Sequence, residues 1–138
     1  MSSPTVPTPQ QRILAVSLMG GIVLIGLALA AVLPLDEAPP TWVTIGLVAA
    51  GVAVHVGLDA FGYRPTSADP VAAYQAGMIL RSAFSEAIAI VAAGLAFVLP
   101  EGGFATYAVG AGVAIALMAI HVWPSDRAVA KQRSYDRG

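Results

Sequence analysis

The chain has no cysteine, only two histidines and few charges, and each shortage removes a class of function. Without cysteine there is no disulfide, no thiol nucleophile, no iron–sulfur cluster and no thiolate zinc site. Two histidines are too few for a histidine-rich metal centre, so neither a metal nor another cofactor is expected. Charged residues make up 11% of the 138 and hydrophobic residues 57%, far from the roughly 25% and 45–50% of soluble domains. The formal net charge is -1, and no run of like charge gives the basic face that nucleic acid requires, which excludes nucleic-acid binding. Also missing are an H-E-x-x-H pair, a G-x-S-x-G turn and a glycine-rich phosphate loop followed by lysine. No catalytic residue is expected, and the chain reads as non-enzymatic.

What the chain does have is four long apolar runs with its charges crowded between them. A helix rising about 1.5 Å per residue needs about 20 apolar residues to cross a hydrocarbon core of roughly 30 Å. The pattern predicts a single all-α domain, an integral membrane four-helix bundle with helices at about 13–33, 42–62, 71–99 and 104–123. Polar tails over 1–12 and 124–138 flank it, and the second has room for a short interfacial helix. Helix starts are marked by Thr8 and Pro9, by Pro39, Pro40 and Thr41, and by Asp69 as N-cap with Pro70 at the first helical position. Pro124 stops the fourth helix. The apolar run of the first helix is too long for an ordinary signal-peptide core of about 7–15 residues, so that helix is expected to be retained.

Arginine and lysine set the orientation. Arg12 precedes helix 1, Arg64 lies between helices 2 and 3, and Arg127, Lys131, Arg133 and Arg137 follow helix 4. The other two loops carry Asp36, Glu37 and Glu101 but no basic residue. The positive-inside rule therefore predicts an up-down-up-down bundle with both termini in the cytoplasm, and Trp42 and Trp123 fall at the expected interfaces.

Helices in lipid associate where small residues let backbones approach. Gly46 with Ala50, Ala49 with Ala53, and Ala53 with Gly57 form such pairs on helix 2; Gly110 with Ala114 and Gly112 with Ala116 repeat them on helix 4. They can close one bundle, or face outward and build a homo-oligomer or dock on a larger membrane complex.

Ionisable groups inside spans are costly and are site candidates by default. His55 and Asp59, four apart, share a stripe of helix 2; Gln75, Ser82 and Glu86 share one of helix 3. Arg81 lies five residues before Glu86, about 140° around the helix, so its partner must come from elsewhere. Levelling helices 2 and 3 at their extracytoplasmic ends predicts that Asp59 meets Arg81 and that His55 meets Glu86. In one reading this cluster only holds the two helices in register, with Asp59 and Arg81 snorkelling. In another, Glu86 with Ser82 forms a proton or monovalent-cation site, because lipid favours the neutral carboxyl and a neighbouring histidine can relay its proton. His121 is expected to be interfacial.

The stretch from Ala76 to Leu99, with its Ala83-Phe84-Ser85-Glu86-Ala87 core, resembles the second helix of rotary ATP synthase c subunits, where Glu86 matches the ion-binding carboxylate. Gly46, Gly51 and Gly57 are similar to the glycine-rich first helix of that hairpin, and Tyr63-Arg64-Pro65 to its polar loop. The likeness covers about 43–99; helices 1 and 4 are extra, and His55, Asp59 and Arg81 have no counterpart there. A closer likeness is to small uncharacterised four-helix bacterial membrane proteins whose third helix carries Arg, a small apolar spacer and Glu. It implies a bacterial cytoplasmic membrane but no function.

Overall fold

The computed structural model describes residues 9–64 and 68–136. Five helices are found among them: α1 (Pro9–Ala30), α2 (Thr41–Phe61), α3 (Pro70–Val98), α4 (Phe104–His121) and α5 (Asp126–Asp136). The first four are long and apolar enough to cross a membrane. Thr8 and Pro65, assigned above to a helix start and a polar loop, lie outside the described residues.

Local chemistry fixes most boundaries. Asp69 Oδ1 accepts from Val71 N at 3.1 Å, which is the expected N-cap, and Pro70 supplies the preset φ of the first turn. At α2 the cap position belongs to Pro40 rather than Thr41, without a side-chain cap, because Thr41 is already the first helical residue. The fourth helix ends at His121, two residues earlier than expected. Val122 and Trp123 both donate to Met118 O at 2.8 Å, so the last turn closes before Pro124 is reached. In α5 Ser125 Oγ accepts from Ala128 N at 3.2 Å as its cap. Asp126 in its first turn and Arg133 in its last match the sign of the helix dipole.

The α3–α4 pair forms the centre, and α1 and α2 each pack against it. Small residues make this possible. A Cβ added at Gly110 would lie 2.1 Å from Ala92 Cβ and 3.1 Å from Ile88 O, so α3 and α4 approach almost backbone to backbone there. A Cβ at Gly51 would meet Val113 Cγ1 at 2.3 Å, where α2 crosses α4. Tyr107 ties α4 to α1 by donating to Ile22 O at 2.6 Å. The interior between these contacts is dominated by alanine, with Ala89, Ala92, Ala96, Ala111 and Ala114 all buried.

The outer surface is the reverse of a soluble protein's. Ile13, Val23, Leu24, Leu27, Ile45, Val52, Ile90 and Phe97 all point outward. Such a continuous apolar exterior is stable only in contact with lipid or another apolar surface.

Candidate functional site

At one end of the bundle the C-terminal ends of α2 and α4 converge on the third and fourth turns of α3. Arg81 stands at the meeting point with 0% of its surface exposed. Its Nε donates to His121 O at 2.7 Å and its Nη1 to Gly62 O at 2.9 Å. The last carbonyls of a helix lack intrahelical donors and carry about half a negative charge per helix end. Two such ends supply about one unit, so the guanidinium is balanced by backbone. Its Cζ also lies 4.4 Å from the Tyr63 ring centroid and 5.9 Å from that of Tyr74, both within cation–π range. The expected Asp59–Arg81 pair is therefore not formed: a planar fork saturates two convergent carbonyls better than one carboxylate at a helix surface.

Asp59 pairs instead with Lys131 of α5, and the Lys131 ammonium also sits 4.8 Å from the Tyr63 ring centroid. Asp59 keeps 60% of its side chain exposed, which makes this a rim contact of small energetic weight. The tail thus holds a short helix, and it closes this end. It places Ala128 and Gln132 inward and Val129 against the main core.

His121 is the hub of the cluster, 1% exposed. Its Nε2 lies 2.8 Å from His55 Nδ1 and its Nδ1 lies 3.0 Å from the Tyr63 hydroxyl. Burial pushes the Tyr63 phenol above its ordinary range, with the Arg81 guanidinium pulling the other way, so the phenol keeps its proton at physiological pH. Two neutral settings satisfy the three groups. In one, Tyr63 donates to His121 Nδ1, His121 Nε2–H donates to His55 Nδ1, and His55 holds its remaining proton on Nε2. In the other every bond runs in reverse. Passing between them takes up one proton at the Tyr63 oxygen and releases one from His55 Nε2.

His55 and Glu86 are consequently not brought together. Helix α4 supplies the partner for His55, a contact that pairing helices 2 and 3 alone leaves out. Glu86 accepts from Ser82 Oγ at 3.0 Å, the within-helix contact that its spacing suggested. It faces an apolar cleft of about 270 Å³ between α1 and α3, lined also by Leu18, Gly21, Ile25, Ile90 and Ala93.

Several buried polar atoms beside Arg81 have no protein partner: its own Nη2, the Tyr74 hydroxyl, and both ends of the Gln132 amide. Gly77 makes room for this group, since a Cβ there would lie 2.9 Å from Arg81 Nη1 and 3.7 Å from Gln132 Oε1. Of the residues in this cluster, sequence reasoning did not single out Tyr63, His121, Lys131 and Gln132 as site candidates. Tyr63 and His121 carry a signal in their position, at or just beyond the C-terminal ends of α2 and α4 where orphan carbonyls gather, whereas Lys131 and Gln132 lie in α5. Among the described residues no group of three or more His, Asp or Glu side chains has metal-binding geometry. Comparison with known proteins finds no matching family model, no matching curated protein and no matching solved structure.

Proposed function

We propose that this chain is a non-enzymatic accessory or structural protein of the bacterial cytoplasmic membrane. In this reading it is an up-down-up-down bundle with both termini in the cytoplasm, acting as a homo-oligomer or as a subunit of a larger membrane complex. The observation that carries it is how the intramembrane polar side chains are used. Arg81 joins two helix ends, His121 joins α2 to α4, and Lys131 joins α5 to α2. Among the described residues the interior beyond Glu86 is mainly alanine and other apolar residues, and its buried Thr106 and Tyr107 hydroxyls form no continuous polar chain with the cluster. The orientation rests on Arg12, Arg64 and the basic tail, which flank the end that holds this cluster.

The self-association half of the reading is supported by α2. Gly46, Ala50 and Ala53 are exposed, Gly57 is half-buried, and Gly46 and Gly57 each have open space where a Cβ would stand. Successive members lie three or four residues apart, so they form one outward groove into which a second helix can settle. Energy transfer between labelled copies in liposomes tests this. Transfer above the random-encounter level in the wild type, reduced to that level in Ala53→Leu, is the expected result; equal transfer in both removes α2 as the interface.

A second reading, translocation of protons or monovalent cations, is favoured by one observation, the continuous Tyr63–His121–His55 chain. Its centre then moves from Glu86 to His121. Proton uptake into liposomes under an imposed potential separates the two. The accessory reading expects no uptake above empty vesicles, whereas uptake lost in either His121→Phe or Glu86→Gln replaces it with the transport reading.

A further inference from the structure

We infer that the cleft between α1 and α3 is a binding site for a small amphipathic cation, an alkyl or single-ring ammonium compound whose charged nitrogen pairs with Glu86. Its shape follows from two helices standing side by side. Leu18 and Ile25 mark its extent along α1, Glu86 and Ala93 along α3, and seven residues of helix give a trough about 10 Å long. Gly21 widens it, because nothing stands within 4 Å of where its Cβ would be.

The lining is aliphatic apart from Tyr107, whose hydroxyl is taken up by Ile22 O, and ends in one carboxyl group. Among the described residues that carboxyl's partner is the Ser82 hydroxyl, and no ion pair to it is formed. A carboxyl in an apolar site stays neutral or takes a cation or several donors as its partner, and an ammonium nitrogen at the end of the cleft is such a partner. The volume of about 270 Å³ lies just under the roughly 300 Å³ at which clefts for drug-sized ligands begin, which selects a short chain or one ring. Glu86 stands five residues, about 7.5 Å, along α3 from Arg81, which binds the last carbonyls of α2 and α4, so both a free amphipathic amine and the amine of a lipid headgroup can reach it.

Equilibrium dialysis of radiolabelled octylamine against the full chain in nanodiscs, with empty nanodiscs subtracted, tests the inference. The expected result is saturable binding of one octylammonium per chain, weakened at least tenfold in Glu86→Gln and in Gly21→Leu, which fills the trough and leaves the carboxyl in place. Neutral 1-octanol should compete at least tenfold less well. Nanodiscs with and without phosphatidylethanolamine separate the two sources: octylamine binding unchanged by that lipid assigns the site to a free amine, and binding weakened at least tenfold overturns the free amine in favour of the headgroup. Retained helical circular dichroism and elution volume show that each variant is folded, and either folded variant suffices. Absence of saturable binding, equal binding by the folded variants, or equal competition by octanol overturns the site. Disulfide trapping of Ile90→Cys chains as dimers that exclude octylamine also overturns it, in favour of a second copy as the occupant.

Discussion

At Arg81 the chain places a guanidinium where two helices run out of hydrogen-bond donors, and the consequences are measurable one residue at a time. Arg81→Met preserves length but strands Gly62 O and His121 O. Each lost bond to a charged donor is worth about 1.5–3 kcal/mol, so the variant should lose about 3 kcal/mol or more in reversible unfolding in mixed micelles. Arg81→Lys keeps the charge without the fork and should fall between. The Asp59–Lys131 pair stands at the opposite extreme: Lys131→Ala should cost less than about 1 kcal/mol, and a larger loss would show that α5 docking depends on it. Tyr63 makes a pH prediction. Its folded pKa is raised, so its contribution to stability is intact below about pH 10 and is lost as pH rises through the higher folded value. The difference in ultraviolet absorbance between wild type and Tyr63→Phe should show phenolate appearing above the free-tyrosine range. The identities of the intramembrane polar residues were legible in the sequence, but their partners were not. His55 and one arm of Arg81 chose groups on α4, which spacing along α2 and α3 cannot reveal, and both Arg81 acceptors, His121 O and Gly62 O, are backbone carbonyls with no side-chain signature.

Among the elements, helix existence and approximate ends were readable because each apolar run is long enough to span lipid and is punctuated by proline or a cap residue. Which small residues face inward was not readable, because glycine and alanine decorate both sides of α2 and α4. The structure separates them. Gly110→Ala puts a methyl group against Ala92 and should destabilise by about 1–3 kcal/mol through overpacking. Gly46→Ala meets open space and should be neutral or slightly stabilising, as helix propensity expects. Comparing the two by denaturant titration in micelles checks the assignment, and equal effects would contradict the α3–α4 crossing described above. Helix α5 carries a further lesson. Its sequence is largely polar, and Ala128 and Gln132, one turn apart, are buried where it sits on the end of the bundle.

For the whole molecule, the all-helical class and the four long apolar helices were legible in composition and run length. The sidedness proposed for it is open to direct labelling. Cysteines introduced singly as Arg64→Cys and Ser134→Cys should react with a membrane-impermeant maleimide from the cytoplasmic side, and Asp36→Cys from the other. The reverse pattern would invert the proposed orientation and place the Arg81 cluster at the outer face.

The wide sequence separation of the His55–His121 and Asp59–Lys131 contacts has a consequence in time. These partners are 66 and 72 residues apart along the chain. At a synthesis rate of about 5–20 residues per second, α2 waits roughly 3–15 s in the membrane before either partner has been made. During that interval a histidine and an aspartate stand near one edge of a helix with only lipid headgroups, water or the insertion machinery to satisfy them. Assembly of this bundle is thus completed from its last-made segments backward, and a nascent chain that stalls between α3 and α5 would expose the polar face of α2 to quality-control proteases.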